Sequence, residues 1–128
     1  MNTFLGAELP SLAVLAERVG ASLRRRGESV AIVESSAGGL VSASLLAIPG
    51  ASAFYLGGAV VYSRRAGRAL LGLSAADLAG MRGETEPYAL LVAGRMRDTH
   101  RATWGISESG ASGPSASPHG DPPGRVCL

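Results

Sequence analysis

The chain has no lysine: all twelve of its basic side chains are arginine. A guanidinium stays protonated at any accessible pH and offers no lone pair, so chemistry that needs a neutral side-chain amine as base is excluded. Cysteine is almost absent as well. The single Cys127 cannot close an intrachain disulfide, and in an apolar strand it reads as a small packing residue rather than a nucleophile. Aromatic residues make up only 5% of the sequence, so the core must be aliphatic. No stretch approaches the roughly 18 apolar residues of a membrane span, and the N-terminus lacks a basic start followed by an apolar run. Nothing here implies export, and a cytoplasmic location is expected. His, Cys, Asp and Glu nowhere cluster at metal-ligand spacing, so neither a metal nor a cofactor is expected.

What is present describes one globular domain over residues 1–128, with residues 1–10 expected to be disordered. Hydrophobic residues at 46% and charged ones at 17% supply a sizeable core, and the net charge is only +2. The one dense basic cluster, Arg24 to Arg26, suits the negative end of a first helix better than it suits a nucleic acid. No nucleic-acid or membrane partner is expected, and self-association into a homo-oligomer stays open.

Pro10 and Ser11 start a helix that carries Leu12, Leu15, Ala16, Val19 and Leu23 inward and stops at Gly27. Ser29 to Glu34 reads as an inner strand. A helix from about Gly38 to Ala47 returns over it through Leu40, Val41, Leu45 and Leu46 and ends at Pro49 and Gly50. A second strand spans Phe54 to Ser63, where Gly57 and Gly58 suggest a bulge or a close backbone approach. Helices follow over Arg64–Leu71 and Ser74–Met81. Another opens at Thr85 and Pro87, turns Leu90, Leu91, Ala93 and Met96 inward, and ends before Arg101. Thr103 to Ser107 is a third strand, 108–124 a long loop, and Arg125 to Leu128 a fourth strand. This alternation predicts an α/β fold: a layered α/β/α sandwich around a mainly parallel or mixed sheet, with ligands at the carboxyl ends of the strands. Three Ser/Gly-rich segments, 35–39, 50–52 and 109–114, are expected to converge there.

Residues 29–40 form the most informative stretch, a buried strand that stops in a Ser/Gly turn and opens into a helix. Gly38 and Gly39 permit a tight turn, the helix start aims free N–H groups at one spot, and Ser35 and Ser36 add hydroxyls, so a phosphate is favoured there. Glu34 either contacts ribose hydroxyls or acts as a desolvated base, or it caps the next helix turn. Glu108 carries the same ambiguity. His119 could serve as a base oriented by Asp121, although a histidine in a Pro/Gly loop is more often solvated surface.

Taken together, these segments resemble the C-terminal domain of the CinA (competence-damage inducible) family, known also as nicotinamide-nucleotide amidase. The matching residues are Glu34 to Gly39, Gly50-Ala51-Ser52, Tyr62-Ser63, Leu70-Leu71-Gly72, Gly110 to Pro114 and Pro122 to Val126, in order over about residues 11–128. The resemblance implies hydrolysis of the carboxamide of nicotinamide mononucleotide to nicotinic acid mononucleotide and ammonia, with this small mononucleotide as partner. It makes Ser52 the nucleophile and puts Tyr62 in the proton relay. Ser35, Ser36 and Ser109, with Gly110 beside it, hold phosphate, ribose or oxyanion. Against the family pattern, a lysine five residues after the tyrosine is Gly67 here, a threonine is Ala37, a serine is Ala51 and a second lysine is Asp121. Three readings follow: an amidase with an altered base, a nucleotide-binding paralogue without the chemistry, or a decayed chain without a ligand. The family also implies helices beyond the last strand, so either a fragment or a shortened domain is expected.

Overall fold

The computed structural model describes residues 3–4 and 7–128, with side chains from Glu8 onward. Thr3–Phe4 (β1) pairs antiparallel with Ala7–Glu8 (β2), where no order was expected; residues 1, 2, 5 and 6 lie outside the described residues. Helix α1, Leu12–Arg26, starts where Ser11 accepts the Val14 N–H on its hydroxyl and stops at Gly27, whose φ of +63° is ordinary for glycine. It buries Ala16, Gly20 and Leu23. The expected inward leucines Leu12 and Leu15 and the valine Val19 stay largely exposed, because α1 docks through Gly20. A β-carbon there would stand 3.0 Å from the Phe54 ring and 2.9 Å from Ile48.

Three parallel strands form the main sheet in the order β4–β3–β5: Val30–Glu34 (β3), Tyr55–Val60 (β4) and Trp104–Ser107 (β5). The central β3 is buried along its whole length and serves two cores. Val30 and Ile32 pack with Leu23, Leu45 and Phe54, under α1 and α2 (Leu40–Leu46). Ala31 and Val33 pack with Leu71, Val92 and Met96, under α3 (Arg64–Leu71) and α4 (Glu86–His100). Helices therefore cover both faces of a parallel sheet, the α/β/α layering that the alternation of elements predicts. The bulge falls at Leu56, which has no partner between the pairs Val30–Tyr55 and Ala31–Gly57, and the close approach falls at Gly58.

Four expected elements differ. Ser74–Met81 forms turns rather than a helix. Ser74 and Asp77 each accept the other's N–H, at 3.0 and 2.8 Å, closing a single turn, and Gly80 at φ +72° ends it. In α4 the inward residues are Ala89, Val92 and Met96, whereas Leu90 is 75% exposed. Residues 108–124 are not all loop, and the last strand does not join the main sheet: Ser109–Gly110 (β6) pairs antiparallel with Val126–Cys127 (β7). The ladder changes partner just after Glu108, whose N–H still reaches Val33 O.

Candidate functional site

Strands β3, β4 and β5 end together at Glu34, Val60 and Ser107, and the residues that follow build the site. Glu34 is 1% exposed, and its two carboxylate oxygens accept the N–H groups of Val41 and Ser42 at 2.9 Å. Of the three roles open to it, this geometry is that of the cap of α2. Glu108 reaches the same turn from the end of β5. Its Oε2 accepts from Ser35 N and Ala37 N at 2.9 Å, and its Oε1 accepts from the Ser36 hydroxyl. Burial pushes this carboxyl upward, but the bonds from the Ser36 hydroxyl and the Ala37, Ser35 and Ser36 N–H groups outweigh it and hold the group below the usual carboxylate range.

The expected phosphate cradle is therefore occupied from within. Gly38 and Gly39, at φ +65° and +99°, give the turn its shape, and beside them Ser35 N, Ala37 N and the Ser36 hydroxyl face Glu108 while Val41 N and Ser42 N face Glu34. Glu34, Ser36, Gly38 and Gly39 thus hold the turn together, and an added anion there would meet two like charges.

Beside this turn opens a cavity of 540 Å³, large enough for a small molecule. Ser35, Tyr62, Ser63 and Arg64 line one side, Glu84 and Tyr88 another, and Ser109 to Gly113 follow the chain along it. Tyr62 is 73% exposed at its edge. Ser109 accepts the Glu84 N–H on its hydroxyl at 3.1 Å. Burial raises the Tyr88 phenol, and the charge of Glu84 adds to this while Arg64 opposes it. The phenol thus remains a proton donor at neutral pH. Gly67 also lines the cavity, with a β-carbon there falling 3.1 Å from Leu73 Cδ1 and 3.7 Å from Val61.

Ser52 is elsewhere. It lies in the 3₁₀ turn Ala51–Ala53, just before β4, where Phe54 O accepts the Val30 N–H at the amino end of the sheet. Arg24, at the end of α1, donates to Pro49 O and Gly50 O at 2.9 and 3.1 Å and pins this turn to that end. The whole of β4, six residues or about 20 Å, separates it from Tyr62. The expectation that segment 50–52 converges with 35–39 and 109–114 is therefore corrected. A helix that returns between two parallel strands delivers the chain to the amino end of the next strand, and only the other two segments meet.

The CinA C-terminal domain family matches residues 12–128. The chain belongs to that family. A CinA-like protein of Prochlorococcus marinus (strain MIT 9313) is 42% identical over 107 residues, covering 83% of this chain and 25% of that protein. One from Anaeromyxobacter sp. (strain K) is 41% identical over 121 residues, covering 94% and 28%. The chain thus spans about a quarter of the length of the curated relatives it matches. Among solved structures, competence damage-inducible protein A (ComA) from Klebsiella pneumoniae superposes with a TM-score of 0.85 at 30% identity, covering 91% of this chain and 73% of that one. A CinA superfamily protein from Enterobacter cloacae gives 0.85 at 30% identity, covering 99% and 75%.

In this CinA domain His119 is not oriented by Asp121. The aspartate is 4% exposed, accepts from the Ser117 hydroxyl at 3.0 Å, and lies 3.9 and 3.6 Å from Arg82 and Arg125. His119 contributes its backbone carbonyl to Arg82 instead. Arg64, Glu84 and Tyr88 were not singled out as site residues. The signal that could have found them is positional: Arg64 directly follows Tyr62-Ser63, and Tyr88 sits in the first turn of α4, which points back toward the carboxyl ends of the strands. Among the described residues no helix is long and apolar enough to cross a membrane.

Proposed function

We propose that this CinA domain binds a small mononucleotide and lacks efficient amide hydrolysis. Hydrolysis of a carboxamide requires an activated nucleophile, a proton acceptor and donors for the oxyanion. The observation that carries the reading is Gly67: it lines the cavity at the position where the family resemblance implies a lysine, and it brings no functional group. Arg64 cannot replace that base, because guanidinium does not deprotonate. Tyr88 is held protonated, and Ser52 lies at the far end of the sheet. Binding is better served, since the cavity combines tyrosines for a ring with the hydroxyls of Ser35, Ser63 and Ser109 for ribose.

Thermal denaturation with nicotinamide mononucleotide, paired with an ammonia-release assay, tests the reading. A bound nucleotide at a hundredfold excess over its Kd stabilises by about 2.7 kcal/mol. Stabilisation without ammonia release is the expected result. Rapid ammonia release would favour the amidase reading, which Tyr62 at the cavity edge supports, and no stabilisation by any mononucleotide would remove the binding reading.

A further inference from the structure

An anionic ligand in the cavity meets unfavourable charge at the turn after β3, where Glu108 takes the Ser35 and Ala37 N–H groups and the Ser36 hydroxyl and Glu34 takes the Val41 and Ser42 N–H groups. Its charge must be met by another wall. Arg64, the first residue of α3, is the arginine that lines the cavity. Its guanidinium makes one long hydrogen bond, Nη2 to Met81 O at 3.3 Å, and among the described residues it forms no ion pair. The nearby guanidiniums of Arg82 and Arg125 differ, since both lie against the carboxylate of Asp121. The field of Arg64 reaches the Tyr88 phenol inside the cavity, so its charge acts on the same space as the ring-binding surface.

We propose that Arg64 is the anion receptor of this cavity and takes the phosphate of a mononucleotide, with base and ribose directed toward the tyrosines and serines. This rests on the mononucleotide reading above. A planar guanidinium with free N–H groups matches a phosphate bidentately, and the positive end of α3 acts in the same sense. Glu84 in the same cavity reduces the net positive potential. Recognition therefore depends on direct contact with the Arg64 fork rather than on a diffuse field. The residue sets specificity: it separates a nucleotide from its nucleoside and does nothing to hold the base, whose N-ribosylpyridinium ring is itself a cation.

Titration calorimetry of the full chain with nicotinamide mononucleotide and with its riboside, on the parent, Arg64→Gln and Arg64→Lys, tests this. The parent should prefer the mononucleotide by about tenfold or more, a preference that falls as salt rises. Arg64→Gln should reduce the preference to about twofold or less with riboside affinity unchanged or raised, since the riboside is a pyridinium cation, and Arg64→Lys should keep part of the preference through its point charge. Arg64→Gln retaining the full preference would overturn the proposal, as would an equal loss for both ligands, which marks a merely structural role. A parent that binds both ligands alike overturns it while leaving a nucleoside-sized binding site in place. A parent that binds neither refutes the mononucleotide reading and this proposal with it.

Discussion

Glu108 accepts the N–H of Ala37 at 2.9 Å across 71 residues of chain, tying the end of β5 to the turn after β3. The bond makes the turn rigid and also fills it. A nest of N–H groups that could have held a ligand phosphate holds a side-chain carboxylate of the same protein. The cavity is thereby left with a cation at Arg64 and, beside it, a turn occupied by two carboxylates, which become structural groups whose loss is read in stability.

Glu108→Ala is accordingly expected to destabilise the domain by about 2–4 kcal/mol, because at least two backbone N–H groups and one hydroxyl lose their acceptor at a buried site. Glu108→Gln keeps one carbonyl acceptor and should cost less. Urea unfolding midpoints measure both, and two variants indistinguishable from the parent would show that the turn stands without this anchor.

Acid should act on the same group. The folded carboxyl titrates below its ordinary value of 4.5, so the unfolded chain takes up the proton first as pH falls. Its contribution is fully present above that ordinary value and is lost as pH descends through the lower folded pKa. Unfolding free energy followed against pH should therefore decline on the acid side in the parent and decline less steeply in Glu108→Gln. Equal acid slopes in the two proteins would contradict this.

The layering was legible in the sequence because it depends on periodicity and punctuation: Ser11 and Gly27 bracket α1, Thr85 and Pro87 open α4, and the continuous apolar run before Glu34 can only be an inner strand. The site was legible only in part. That Ser35 and Ser109 border one cavity follows from strand order. The fate of the donors around Ser36 does not, because it depends on a side chain 72 positions away that sequence spacing cannot place. Ser52 was misplaced for a different reason. Similarity of composition among Ser/Gly segments says nothing about which end of a strand each one adjoins, and that is fixed by the direction of the preceding helix. Leu12, Leu15 and Leu90 show the limit of periodicity itself: the pattern locates a face, and small residues such as Gly20 and Ala89 then shift the line of closest contact.

Close packing between β5 and α4 gives a prediction with its own control. A β-carbon on Gly105 would press on Ala93 O and stand 2.7 Å from Arg97 Cβ, against backbone that cannot yield. Gly105→Ala should therefore destabilise by about 3 kcal/mol or more. Gly94 lies within α4 with open space around its missing side chain, and Gly94→Ala should stabilise by about 0.5–1 kcal/mol. Thermal melts of the pair measure both, and a tolerated Gly105→Ala would mean that α4 can lift from the sheet.

Gly67 and Ser52 together decide how far the family's chemistry transfers to this chain. Gly67 lines the cavity on a regular turn of α3, and the atom nearest an added β-carbon is the end of the flexible Leu73 side chain at 3.1 Å. Gly67→Lys should therefore fold after a shift of a few tenths of an ångström. It would place the chain's first side-chain amine beside Tyr62 and Ser63, where burial lowers a lysine pKa and favours the neutral base. Turnover of nicotinamide mononucleotide to ammonia should rise above the parent by at least about tenfold, the scale of general-base catalysis being a hundredfold or more in a well-formed site. Tyr62→Phe in that background should reduce the gain. Ser52→Ala should leave it intact, because about 20 Å of β4 lies between that hydroxyl and the cavity. If Ser52→Ala abolished the gain, Ser52 would have to reach the cavity from another copy of the chain, and the single-chain site described here would be incomplete. If Gly67→Lys produced no gain while still binding the nucleotide, the missing lysine would not be what limits the chemistry.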